Sequence, residues 1–400
     1  MSLTQTQLKL SSLRTIMTAL IALIALVALI AAARPAVTTA DTAAAPVPAS
    51  ATAAPHIEVA FVLDTTGSMG GLIEGAKAKI WSIANQIIAA KPTPKLKIAL
   101  VGYRDRGDDY VTKVFDLSED IDTVYANLTK FQAAGGGDTP ESVNQALHEA
   151  VTKLAWSSNR DVLKIIFLVG DCPPHMDYPN DILYPDVCQQ AVKKDLIINT
   201  IQCGDDTSTT PVWRDIASRS EGTYVAIGQT GDMQIVTTPL DEELAKLNAE
   251  LGTTLIPYGA VERQESVRAK QVMAEAAPAP AAADRLAYNR KVGKAVQGGG
   301  DLVDDSNAGA ADLDTLKPEE LPAELQSMTV DQRKQYIAEQ TAKRAELQGK
   351  IDELLQKRQE YIDAETKRQA AEGKGSAFDS EVNTMLRSQA ARKGIDYNQE

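Results

Sequence analysis

The chain has 400 residues, 44% of them hydrophobic, and a formal net charge of −13. That length and apolar content allow more than one folded domain and exclude a collagen-like or low-complexity polymer. A surface this acidic repels phosphate backbones, which excludes nucleic acid as a natural partner, and it attracts cations.

Residues 1–33 carry Lys9 and Arg14 and no acid, then an uncharged apolar run from Ile16 to Ala33. Positive residues before an apolar segment and small residues after it read as an export signal, with Ala31-Ala32-Ala33 or Thr38-Thr39-Ala40 as the cleavage site. A helix over the apolar run reaches roughly 27 Å, enough to cross a bilayer, so a retained N-terminal membrane anchor is the alternative. Either reading places the rest of the chain outside the cytoplasm: periplasmic, secreted or held at the outer face of the cytoplasmic membrane. Residues 34–55 are mostly Ala, Thr, Pro and Val, a composition that builds no core and reads as an extended linker.

From His56 apolar runs alternate with segments of helical spacing. Ile57–Leu63, Lys95–Tyr103, Val111–Phe115, Val162–Gly170, Leu196–Gln202 and Thr223–Ile227 read as six strands. About twenty residues after Gly70 read as helix, as do Ile121–Phe131, Glu141–Trp156, Trp213–Ser220 and Leu240–Leu251. This alternation predicts an α/β fold over 56–251: a doubly wound, mostly parallel six-stranded sheet with helices on both faces. Ligands of such sheets bind at the carboxyl ends of the strands where the winding reverses. With strand order 3-2-1-4-5-6 the reversal lies between strands one and four, which end in Asp64 and Asp171.

Asp64, Thr66 and Ser68 place three side-chain oxygens at alternate positions past a buried strand, in a loop that Gly67 and Gly70 allow to turn tightly. A carboxylate and neutral hydroxyls in that pattern suit a hard cation. The loop Gly135-Gly136-Gly137-Asp138-Thr139-Pro140-Glu141 and the Val169-Gly170-Asp171 end of strand four supply two further pieces. D-T-T-G-S, G-G-G-D-T-P-E and V-G-D, in that order, resemble the metal-ion-dependent adhesion site (MIDAS) of von Willebrand factor type A domains, here of a bacterial exported type. The resemblance covers about half the chain. It implies Asp64, Thr66, Ser68, Thr139 and Asp171 around Mg²⁺, with Mn²⁺ or Ca²⁺ as alternatives, and a position left open for an acidic side chain of a protein partner. In the family's register Gly137 falls on the threonine ligand, so Thr139 or Asp138 would stand in. The structural alternatives are that Ser68 caps the following helix and that Asp138 or Thr139 caps the next, with Pro140 at its first position.

Enzyme chemistry fits less well. D-T-T-G-S also resembles the aspartyl-phosphate motif of haloacid dehalogenase-like phosphotransferases, but Thr66 stands where most of those carry a second Asp, and Gly170-Asp171-Cys172 lacks their downstream motif. No phosphate-binding loop or dinucleotide fingerprint is present, and His56, His148 and His175 form no zinc pair. The cysteines are Cys172, Cys188 and Cys203. An exported protein favours one disulfide, with Cys172–Cys203 sterically reasonable and Cys188–Cys172 the alternative. The Arg-Gly-Asp triplet at 106–108 lies in an acidic rim loop, and such triplets are common by chance.

Residues 252–315 read as a linker, partly disordered, with an Ala/Pro stretch at 274–284 and a Gly/Asp-rich segment at 297–315. Residues 316–373 read as helical: Thr329 and Gln332 form a capping box, and Val330, Ile337, Leu347, Ile351, Leu354, Arg358 and Tyr361 follow a seven-residue pattern. A coiled coil self-associating through 324–365, or a hairpin folded back on the sheet, both satisfy it, with Arg344 and Arg358 on or near the seam. Residues 374–400 read as a tail with a short helix. The combined expectation is an exported, metal-dependent protein-binding module for adhesion or assembly, and not an enzyme. The alternative is a scaffold that binds through its C-terminal helices and keeps only a vestigial metal site.

Overall fold

A computed structural model describes residues 54–137, 139–372 and 377–397. The expected export signal or anchor, nearly all of the linker that follows it, and Asp138 lie outside the described residues.

Six strands form one sheet: β1 (His56–Asp64), β2 (Lys95–Tyr103), β3 (Thr112–Ser118), β4 (Leu163–Gly170), β5 (Ile197–Cys203) and β6 (Tyr224–Ile227), in the order β3-β2-β1-β4-β5-β6. β3 runs antiparallel to β2, and every other neighbouring pair is parallel. β1 and β4 are apolar along their length because both faces of the sheet are covered. Alternation sends Val59, Phe61, Leu63, Ile165, Phe167 and Val169 to one face and Ala60, Val62, Ile166 and Leu168 to the other. The first face packs under α1 (Gly70–Ile87) and α2 (Ile121–Leu128), and Phe61 stacks on Phe167 with ring centroids 5.5 Å apart. The second packs under α3 (Val143–Thr152), α4 (Tyr184–Lys193) and α5 (Thr209–Arg219). From β1 the chain winds outward to β2 and β3, and from β4 to β5 and β6, so the reversal falls between β1 and β4 as expected.

The C-terminal half departs from the sequence reading. The segment 252–315, expected as a linker, contains α7 (Val261–Ala276), α8 (Ala279–Val292) and α9 (Leu302–Asn307), following α6 (Asp241–Gly252). The alanines that resembled a linker are good helix formers, and Ala281, Ala282 and Ala283 are buried where α8 needs small side chains for close approach. Trp81 of α1 meets Tyr288 of α8 edge-on at 5.5 Å. Arg285 of α8 reaches Asp122 of α2 through Nε (2.6 Å) and Nη2 (2.9 Å), and Asn248 of α6 through Nη1 (3.1 Å).

After a short α10 (Ala323–Gln326), α11 (Val330–Ala371) begins at the expected Thr329–Gln332 capping box. Its seam is used within the chain. Leu347 and Ile351 are buried with Leu244, Leu247, Leu251 and Leu286, and Ile337 with Leu321 and Leu325. The arginines that interrupt the seven-residue pattern are anchors. Arg344 pairs with Asp301 (2.6 Å) and Asp304 and donates to the Thr254 carbonyl (2.9 Å), while Arg358 pairs with Asp241 and Asp284, each at 2.7 Å. The fold-back arrangement is therefore the one the structure adopts in place of a coiled-coil seam. The tail helix, α12 (Ala377–Ala391), adds Phe378, Val382, Met385 and Leu386 to the first-face core, with a Lys79–Asp379 pair (2.5 Å) and a buried Asn199–Gln389 amide pair. Among the described residues no helix is long and apolar enough to cross a membrane.

Removing one member of a buried ion pair leaves the other charged and uncompensated, which costs about 3–5 kcal/mol. Arg344→Met should therefore lower the unfolding free energy obtained from urea titration by an amount of that order, with a correspondingly lower midpoint. Arg344→Met with Asp301→Asn and Asp304→Asn should recover much of the loss. Equal midpoints for wild type and Arg344→Met would show that these pairs do not anchor α11.

Candidate metal centre

β1 ends at Asp64, whose side chain is fully buried. Its Oδ1 accepts from the Thr66 backbone N–H (2.8 Å) and from Thr66 Oγ1 (2.7 Å), and Thr66 Oγ1 lies 3.3 Å from Ser68 Oγ. A 3₁₀ turn at Gly67–Met69 carries the chain into α1, and the Ser68 side chain caps neither element. Asp64 Oδ2 is buried and has no hydrogen-bond partner. Asp171 follows β4 directly. Its Oδ2 accepts from Gln229 Nε2 (2.7 Å), and its Oδ1 is buried without a partner. A Cβ at Gly170 would collide with the Tyr103 hydroxyl and lie 3.0 Å from Asp64 Cβ, so glycine leaves room for both side chains at this strand end. Asp64, Thr66, Ser68 and Asp171 thus share one crevice.

The third loop is drawn in by backbone bonds, Ala134 N–H to the Thr65 carbonyl and Gly67 N–H to the Gly135 carbonyl, both 3.2 Å. Gly135 and Gly136 each adopt φ +75°, and the Gly136 N–H donates to Asp108 Oδ2 (3.1 Å). Thr139 does not join the first group: its hydroxyl faces Cys172 Sγ at 3.8 Å. The helix after this loop begins at Val143, two residues later than the sequence reading placed it, with Ser142 at its N-cap position. Thr139 does not cap it, and Glu141 is not in its first turn.

Glu141 is the residue that the sequence reading missed. It is 2% exposed, its Oε2 has no partner, and its carboxyl is pushed up to about 9 by burial and then by the charges of Asp64, Asp105, Asp108 and Asp171. Asp64 is pushed up to about 7, chiefly by burial, with the Thr66 hydrogen bonds opposing and Asp171 adding to the rise. A glutamate directly after a Gly-rich loop and Pro140 was the available signal, and it was assigned to the helix instead.

All three cysteines are free, so the expected Cys172–Cys203 disulfide is not formed, nor is its alternative. Cys203 is buried on the first face of the sheet and Cys188 on the second, while Cys172 lies beyond the strand ends. The loop between β4 and α4 is stitched to the crevice wall. Glu141 N–H donates to the Pro173 carbonyl and His175 N–H to the Glu141 carbonyl, both 3.0 Å, and buried Asp105 accepts from Ser142 Oγ and Tyr178 OH, both 2.8 Å. His175 stacks on Tyr178 at 4.0 Å, and Arg106 lies over the Tyr178 ring and pairs with Asp181.

Among the described residues no three His, Cys, Asp or Glu side chains are arranged to hold a metal. The fit to a hard cation rests instead on two carboxylates, each with a buried unpartnered oxygen, and on two adjacent hydroxyls.

Comparison with known proteins agrees with this architecture. Residues 58–238 match the family model described as von Willebrand factor A domain. The von Willebrand factor A domain-containing protein 7 of rat is 36% identical over 120 residues, 30% of this chain and 12% of the rat protein. The mouse protein of the same name is 39% identical over 120 residues, with the same shares. The chain thus aligns with only a small part of these relatives, and they lend no support to the expected bacterial exported type. Among solved structures, proximal thread matrix protein 1 of the mussel byssus, with a zinc-occupied MIDAS motif, is 18% identical with a TM-score of 0.35, covering 44% of this chain and 42% of that one. What the comparisons show is a similarity of residues 58–238 to the von Willebrand factor A domain.

Proposed function

We propose that the domain is a divalent-cation-dependent protein-binding module. Asp64 and Asp171 would hold the cation with Thr66 and Ser68, and the all-oxygen donor set favours Mg²⁺ over softer ions, with Mn²⁺ or Ca²⁺ as alternatives. The observation that carries the reading is the pair of buried, unpartnered oxygens, Asp64 Oδ2 and Asp171 Oδ1, in one crevice. When bound, the cation would offer a coordination position to an acidic side chain of the partner. Gln229 fixes Asp171 through Oδ2, and Thr66 fixes Asp64 through Oδ1, so each carboxylate presents its other oxygen. Without a cation, burial and the surrounding carboxylates push the Glu141 carboxyl up to about 9, which limits the negative charge of the crevice.

We read the site as binding and not catalytic, because Thr66, at the position of the second phosphotransferase aspartate, is committed to Asp64. A scaffold with a vestigial site is the second reading, favoured by Thr139 facing Cys172. The apolar run at 16–33 supports export, which leaves the domain to act outside the cytoplasm.

Calorimetric titration of the full chain with Mg²⁺ should give a saturable heat that Asp171→Ala abolishes while far-ultraviolet circular dichroism is unchanged. The same heat in Asp171→Ala would place the site elsewhere. Stability without metal supplies a second test. Asp64 binds its proton more tightly folded than unfolded, so its contribution is favourable below about pH 4 and is lost as pH rises to about 7, at up to about 1.4 kcal/mol per pH unit. In EDTA, Asp64→Asn should therefore be more stable than wild type at pH 8, and the gap should close by pH 4. A gap that widens toward acid would contradict the burial of an unpaired carboxylate.

A further inference from the structure

The Arg-Gly-Asp triplet has an internal use. Asp108 is half-buried on the loop between β2 and β3, and its Oδ2 accepts from the Asp105 N–H (3.3 Å) and from the Gly136 N–H (3.1 Å). The Asp105 bond shapes its own turn, in which Asp108 N–H returns a bond to the Asp105 carbonyl (3.3 Å) and Gly107 adopts φ +100°. The Gly136 bond crosses to the glycine loop that carries Thr139 and Glu141. At Gly135 a Cβ would collide with the Asp108 carboxylate, and at Gly136 it would approach Thr66 Cβ to 3.0 Å and Glu141 Oε1 to 3.2 Å. The carboxylate therefore fills the space that left-handed Gly135 leaves open, and through the Gly136 N–H it holds the next residue's backbone beside Thr66.

We propose that Asp108 is the positioning residue of the metal site, the clamp that sets the distance between the glycine loop and the Asp64–Thr66–Ser68 group. It would touch neither the cation nor the partner. A charged acceptor on a backbone N–H is among the stronger hydrogen bonds, and this one fastens the near end of a loop whose far end is fastened at Glu141 by the Pro173 and His175 bonds. With both ends fixed, Gly136 and Glu141 are held beside Thr66. Without Asp108 the near end keeps the Arg104 bond to the Gln132 carbonyl (2.7 Å) and the Ala134 and Gly135 bonds, but the Gly136 N–H loses its acceptor, and the loop shifts away from Thr66. The same engagement withdraws the Asp from use as a ligand for another protein's Arg-Gly-Asp receptor.

The inference rests on the cation-binding reading, and the test separates the two. Mg²⁺ affinity would be measured by calorimetry on the full chain for wild type, Asp108→Ala, Asp108→Asn and, as a control, Asp109→Ala, whose side chain is 92% exposed. Gly135→Ala breaks the same contact from the loop side. Unfolding midpoints in EDTA would be recorded for each variant. A group hydrogen-bonded to a metal ligand is worth roughly 10–100-fold in affinity, and Asp108, which acts one step further out through the loop beside Thr66, is expected at the low end of that range. Asp108→Ala and Gly135→Ala should each weaken Mg²⁺ by at least tenfold. Asp108→Asn, which keeps an acceptor oxygen, should stay within about threefold of wild type by the same reasoning, and Asp109→Ala should match wild type. If Asp108→Ala does not fold, Asp108→Asn and Gly135→Ala decide the matter. Wild-type affinity in Asp108→Ala or Gly135→Ala would overturn the clamp while leaving the metal site standing. An Asn variant as weak as Ala would show that charge, and not positioning, is what Asp108 supplies. No Mg²⁺ binding by wild type would remove the metal reading and the clamp with it.

Discussion

The structure turns on two carboxylates brought together by a reversal in strand order. Because β1 and β4 are parallel, hydrogen-bonded neighbours from which the chain winds outward in opposite directions, their carboxyl ends open into one crevice, with Asp64 closing β1 and Asp171 following β4. Gly170 leaves room there for Asp64 and the Tyr103 hydroxyl, and each aspartate has one buried oxygen without a hydrogen-bond partner. Two like charges at one site, each with one buried oxygen left unpartnered, oppose folding, which is the observation a bound cation would account for. The raised Asp64 and Glu141 carboxyls are the same fact in another form: the pocket favours protons when nothing else neutralises it. A divalent cation would answer that demand.

Much of the remaining architecture serves to hold this pocket in shape. Rim loops from β2, β4 and the glycine segment are tied to one another through Asp105, Asp108, Tyr178 and the Glu141 backbone. On the far side of α1, the C-terminal helices complete the first-face core and are fixed by Arg285, Arg344 and Arg358, each reaching buried acids. Such pairs add little net stability compared with well-packed apolar residues, but they penalise any other register strongly. They explain how a long, mostly polar helix such as α11 finds one seat. Tyr288 of α8 and Phe378, Val382, Met385 and Leu386 of α12 join the first-face core, while α6, α8 and α11 build a cluster of their own around Leu244, Leu286 and Ile351.

The sheet was legible in the sequence because its signal is local: six apolar runs, each ending at turn residues, and one strand order compatible with the motif spacing. Asp64, Thr66, Ser68 and Asp171 were legible for the same reason, since strand ends fix where they lie. Thr139 was not, because a loop rich in glycine carries no periodicity that sets its register. Glu141 was hidden by a helix that starts two residues later than its capping signals indicated. The Ala/Pro stretch misled through composition, since alanine reads equally as linker and as a helix packed closely on its neighbours. Arg344 and Arg358 looked like defects in a coiled-coil seam because their partners, Asp301, Asp241 and Asp284, lie 43 to 117 residues away.

The central claim is that Asp64 and Asp171 jointly hold one divalent cation. Anomalous diffraction from crystals of the full chain grown with Mn²⁺ tests it most directly. The account requires a single strong peak in the crevice, within coordination distance of Asp64 Oδ2 and Asp171 Oδ1 and bordered by Thr66 and Ser68. A peak elsewhere, or a crevice without one at saturating Mn²⁺, would contradict it.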